Sequence, residues 1–193
     1  YLVKYKYPLE NYDKAFEKIA WTLSFRGYTG NNWFAAKSST LVAAALSLKD
    51  AQKRNFYLDF YLNRDTVVDG CGQLRLPSAS KLWFTPDGHW KEPGGYHNYP
   101  VSKLIEAALM LENNGYQIFN QYPILLNASY VMLKYSFPDL TASAFGDTGR
   151  PRQSMECLES AILMADKYQL PILPDLLNAA MILEQAGQYL SLI

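Results

Sequence analysis

Both histidines of the chain fall in one stretch, Pro86 to Pro100, which reads P-D-G-H-W-K-E-P-G-G-Y-H-N-Y-P. Tyr96 and His97 follow Gly94-Gly95, so the backbone there is free to take unusual angles and little side-chain bulk crowds the pair. A phenol ionises near pH 10, and a neighbouring imidazole or positive charge lowers that value towards useful basicity. Such a Tyr can abstract a proton and later return one. His89, Glu92 and His97 also invite a metal reading, but their spacing matches no standard zinc signature, and a hydrogen-bonded loop network ranks above it. No metal or cofactor is expected. Asp87 before Gly88 reads as a turn. Glu92 is placed to orient a histidine or the loop backbone, and with Asp87 it forms the only evident basis for a glycosidase-like carboxylate pair.

Two further stretches carry groups with chemistry. Thr29-Gly30-Asn31-Asn32-Trp33 puts two neutral amides before an aromatic ring at a predicted helix start. One reading makes an Asn the helix cap. The other lets an amide N–H donate to a ligand carboxylate while the indole of Trp33 packs against a sugar face. Phe145-Gly146-Asp147-Thr148-Gly149-Arg150-Pro151-Arg152 joins two predicted helices. Asp147 or Thr148 can cap the second of them, and the Arg150 guanidinium suits a carboxylate or sulfate because its fork donates two hydrogen bonds.

The elements that must position these groups are helices. Apolar residues recur at three- and four-residue steps over Asn11 to Phe25, Ala35 to Leu48, Ala51 to Leu62, Val101 to Glu112, Ile118 to Tyr135, Arg152 to Tyr168 and Pro174 to Gln185. That is seven predicted helices, with no strand longer than Thr66 to Val68. Runs such as Leu41-Val42-Ala43-Ala44-Ala45-Leu46 are apolar on more than one face, which suits helices packed between helices. The expected class is all-α, with stacked helical hairpins and long loops gathered at one end. Asp69 to Pro100 reads as one long loop, a length that points to function, and its aromatics argue against disorder.

Composition narrows the partners. With 193 residues, 49% hydrophobic and 19% charged, the chain can bury a core. Eighteen basic side chains balance eighteen acidic ones, which is not the electrostatic footprint of a nucleic-acid binder. Aromatic content of 15% suits sugar stacking as well as core packing. Cys71 and Cys157 have no metal-ligand spacing, and no apolar run approaches the roughly 18 to 20 residues of a membrane span.

Taken together, Asn31-Asn32-Trp33, the Asp87-Gly88-(x3)-Glu92-(x3)-Tyr96-His97 pattern and Phe145-Gly146-Asp147 resemble the toroid polysaccharide lyases, nearest to the heparinase II/III group with its related alginate lyases. The Asn-Asn-Trp element is also similar to one in hyaluronate and chondroitin lyases. The resemblance touches about Tyr28 to Arg152 through short motifs whose order carries the weight. It implies a single incomplete (α/α) toroid domain over 1–193, part of a larger secreted or periplasmic protein that cleaves a uronic-acid polysaccharide, a glycosaminoglycan or alginate, by β-elimination. Asn32, with Asn31, would neutralise the uronate carboxylate, Tyr96 would transfer the proton, and His97 would orient or tune the site. Trp33, His89, Trp90, Glu92 and Arg150 would contact substrate.

Two departures from the family pattern stand out. Several relatives place His directly after the first-motif Asn, where this chain has Trp33, and others draw a further histidine from sequence beyond a point like Ile193. Apolar residues still accumulate at Gln188-Tyr189-Leu190-Ser191-Leu192-Ile193, so the chain is expected to be an excised piece, and the two departures imply that it is catalytically incomplete by itself. The competing classes are an α/α-toroid glycoside hydrolase using Asp87 or Glu92, and a non-catalytic carbohydrate-binding module.

Overall fold

The second helix, α2 (Asn31–Leu46), shows why this chain is helical: it is rich in Ala and Leu, and Phe34, Ala35, Leu41, Val42 and Ala45 have no exposed surface. A helix apolar on several faces must be enclosed, and α2 packs against both α1 (Glu10–Arg26) and α3 (Ala51–Leu62). Each fully buried Leu or Phe contributes about 1.5–3 kcal/mol relative to an exposed one. Asp50 caps α3 by accepting from the Gln52 and Lys53 N–H groups at 2.8 and 3.1 Å.

The computed structural model describes residues 10–92, 96–137, 141 and 155–185. The chain divides into two compact units, Tyr1–Ala79 and Ser80–Ile193, with the division inside helix α4 (Leu76–Trp83). In the second unit, α5 (Asn98–Glu112) packs against α6 (Ile118–Gln121), α7 (Ile124–Tyr130) and α8 (Met155–Lys167); α8 also packs against α9 (Leu173–Gln185). A 3-10 helix, Val131–Tyr135, continues from α7. The protein is predominantly helical, and the described residues form no strand, only isolated bridges such as Tyr28 with Cys71 and Phe84 with Trp90.

Nine α-helices among the described residues replace the seven expected. Asp69 to Pro100 is not one loop, because α4 runs through its middle. Asp65 holds the start of that helix, accepting from Arg75 N–H at 2.9 Å and Ser78 Oγ at 2.7 Å. The single helix expected over Ile118 to Tyr135 is three pieces. Pro123 has no N–H to continue α6 and biases Tyr122 away from helical angles; Tyr122 sits at φ −128°, ψ 67°. Helix α5 begins three residues earlier than periodicity suggests, with Pro100 in its first turn, where a missing N–H costs nothing.

Candidate active site

In the second unit, the segment after α4 folds back on itself. Thr85 N–H donates to the His89 carbonyl at 2.8 Å and Gly88 N–H to the Thr85 carbonyl at 3.0 Å, making the turn expected at Asp87-Gly88. Gly88 has φ +95°, and a Cβ there would lie 2.8 Å from the Ala128 backbone nitrogen. Only glycine lets the turn lie this close to α7. Lys91 N–H then donates to the Trp83 carbonyl at 2.8 Å, while the Trp90 ring stacks on Trp83 and meets Phe84 edge-on.

His97, at the N-terminal boundary of α5, anchors this loop from below. It is 1% exposed. Its Nδ1 accepts from the Trp90 backbone N–H at 2.9 Å, so the ring proton sits on Nε2, 2.7 Å from the Ala128 carbonyl. Burial opposes the charged form and lowers the His97 pKa to about 4, against the hydrogen bond to the Ala128 carbonyl, which raises it. A second proton, on Nδ1, would also point at the Trp90 N–H donor. His97 is thus a neutral structural link between loop, α5 and α7, and both ring nitrogens are occupied. Tyr96, half-buried, immediately precedes it.

The other expected loop contacts sort by exposure. Trp90 is fully buried and has no face to offer a sugar, so the substrate contact expected of it is corrected to a core role: its indole N–H donates to Glu92 Oε2 at 2.7 Å. Glu92 orients the loop through that indole. His89 is half-buried, its ring 5.2 Å from those of both His97 and Tyr135. Burial lowers its pKa, while the nearby Asp87 carboxylate opposes the shift. Asp87 accepts from Thr85 Oγ1 at 2.5 Å and from Tyr135 Oη at 2.8 Å, and these bonds hold its pKa below the ordinary carboxylate value.

In the first unit, Asn31, Asn32 and Trp33 form the first turn of α2, and Gly30 occupies the cap position without a side-chain capping bond. Neither Asn caps the helix, which corrects that reading. Asn31 stands at φ +50°, a left-handed angle that Asn tolerates better than most residues. Asn31 is exposed, Asn32 half-buried, and Trp33 is 64% exposed, a flat ring open to solvent. The loop below is fixed: Thr29 bonds the Gly70 carbonyl through N–H and hydroxyl, both at 3.0 Å, and Gly72 N–H donates to the Gly27 carbonyl at 2.9 Å. Lys37 reaches under it from α2 to the carbonyls of Gly27 and Gly72. It is 7% exposed, and burial lowers its pKa to about 8, a shift partly opposed by Cys71.

Gly94, Gly95, Arg150 and the Phe145–Arg152 stretch lie outside the described residues. Tyr135 and Thr85 are members of the cluster that sequence reasoning missed. Tyr135 lies 48 residues from Asp87 with no motif to link them, whereas Thr85, two residues before Asp87, is a common turn-bonding residue and was within reach. Among the described residues no group of three or more His, Cys, Asp or Glu side chains is placed to hold a metal. Comparison with protein-family models, curated proteins and solved structures gives no match.

Proposed function

We propose that the chain is the toroid portion of a polysaccharide lyase that cleaves a uronate-containing glycan by β-elimination. The observation that carries this reading is the anchoring of His97, which fixes the residue next to Tyr96 through two buried hydrogen bonds inside the resemblance motif. An acid–base phenol needs such a pre-set backbone, because misplacement by about 1 Å can cost on the order of a hundredfold in rate. The packed helix pairs α1–α2, α2–α3 and α8–α9 suit stacked hairpins of an incomplete (α/α) toroid.

The C5 proton of a uronate is hard to remove because the adjacent carboxylate repels the charge that develops. An amide donor from Asn32, supported by Asn31, offsets that charge. Tyr96 takes the proton, and in a syn elimination returns one to the departing O4. Trp33 offers its open face to a sugar ring, and Arg150 serves as an anion partner. The substrate class is a glycosaminoglycan or alginate, met in the periplasm or outside the cell.

The hydrolase alternative is less well served. A glycosidase acid needs a raised pKa, yet Asp87 is held down by two donors and Glu92 is engaged with the Trp90 indole. The exposed Trp33 favours carbohydrate binding of some kind in either case. The deciding experiment presents the full-length protein with heparan sulfate, chondroitin, hyaluronan and alginate. At least one should yield oligosaccharides with an ultraviolet-absorbing unsaturated uronyl end; new reducing ends without that chromophore would make it a hydrolase. Tyr96→Phe should abolish turnover and leave the circular dichroism unchanged.

A further inference from the structure

His97 has no free ring nitrogen, so a second imidazole must exchange protons in this loop if either does. His89 is half-buried and lies between the His97 ring, tilted by 33°, and the Tyr135 ring, met edge-on at 74°. Tyr135, at the end of the 3-10 helix, donates its hydroxyl proton to Asp87, whose other oxygen takes the Thr85 hydroxyl. Thr85 Oγ1 in turn accepts the His89 backbone N–H at 2.9 Å. One chain of hydrogen bonds thus runs from Tyr135 through Asp87 and Thr85 to the His89 backbone N–H, while the Tyr135 ring packs edge-on against the His89 imidazole.

We infer that Tyr135 is a positioning residue of the candidate site, which by clamping Asp87 fixes the Asp87–His89 turn and the imidazole of His89, the histidine that exchanges protons there. Tyr135 is not itself the proton carrier, because its bond to Asp87 holds the phenol proton more firmly than usual. The titratable groups facing His89 are Asp87 from its own turn, His97 from the start of α5 and Tyr135 from the 3-10 helix. Helix α7 meets the turn with the backbone of Asn127 and Ala128 at Gly88, and Lys134 places its ammonium over the Tyr130 ring. The catalytic consequence rests on the lyase reading: a fixed His89 would present its imidazolium to an acidic sugar as pH falls.

Two histidines give two imidazole signals in a proton NMR titration of the whole chain, and His89→Gln identifies one by deleting it. In the wild type the His97 signal should stay flat from about pH 8 to 5, while His89 titrates below about 6.5. Tyr135→Phe keeps the ring and removes only the hydroxyl. It should expose the turn to water, raise the His89 midpoint towards about 6.5 and leave the His97 signal flat. Hydrogen exchange at the Gly88 amide should speed up by about threefold or more, as expected for losing one modest hydrogen bond. Asp87→Asn, which keeps the shape and weakens both bonds, should speed the same amide. An unchanged His89 midpoint with unchanged Gly88 exchange in Tyr135→Phe overturns the inference, as does a His97 signal that titrates in this range. Altered His89 titration with no unsaturated product from any glycan would sink the lyase reading and leave the positioning role standing.

Discussion

His97 is the residue whose loss the fold should feel most in this loop. His97→Ala leaves a buried N–H on Trp90 and the Ala128 carbonyl without their partner and opens a cavity, for an expected cost of about 2–4 kcal/mol in denaturant unfolding. Its pH dependence has a definite sign. The folded value of about 4 lies below the reference of 6.5, so the unfolded chain binds more protons between the two. Stability is complete above about pH 6.5 and falls as pH drops towards 4, by on the order of 3 kcal/mol from this group. The difference between wild type and His97→Ala should shrink over that window; a constant difference would show that His97 is not held neutral. At Gly88 the requirement is steric and conformational: Gly88→Ala should lower stability by at least about 1 kcal/mol, measured the same way.

At the scale of elements, two buried ionisable groups tie helices to the segments packed beside them. Glu112, its side chain 2% exposed, ends α5 and accepts from Phe119 N–H at 3.2 Å, Lys167 Nζ at 2.9 Å and Tyr168 Oη at 2.6 Å, joining α5, α6 and the end of α8. Burial pushes its pKa up, but the bonds from Tyr168 and Lys167 prevail and hold it below the ordinary value. Glu112→Ala should cost about 2–4 kcal/mol, because it strips several partners at once. Lys37 does the corresponding work in the first unit. Its folded pKa of about 8 is depressed from 10.5, so between those values the unfolded chain binds more protons and stability rises with pH. The wild type should therefore gain stability relative to Lys37→Met from about pH 8 to 10; a flat difference would place the ammonium in water rather than beneath the Gly27 and Gly72 carbonyls.

For the molecule as a whole, eighteen positive and eighteen negative side chains leave no net field to draw a polyanion from afar. On the proposed lyase reading, association with an acidic glycan should then change its on-rate little between about 50 and 200 mM salt, with most of the effect in the off-rate. Stopped-flow binding of a fluorescent oligouronate would show this, and a steeply salt-dependent on-rate would point to a local basic groove.

The helical class was legible in the chain because burial of one face imposes a three-to-four residue period, and α1, α3, α8 and α9 were located from it. Helix α4 was not: Leu76, Ala79 and Trp83 do fall at three- and four-residue steps, but they span only two turns, with Pro77 inside them and Gly70 and Gly72 just before, so the stretch reads as loop. The proline break at Pro123 was visible in principle and was overridden by the apolar run around it. The Asp87-Gly88 turn and the Tyr96-His97 pair could be picked out because turn chemistry and residue type are local properties. Burial and partnership are not local. Only the tertiary structure withdrew Trp90 from solvent, occupied both nitrogens of His97 and brought Tyr135 to Asp87, because each depends on segments far apart in the chain closing around the same few ångströms.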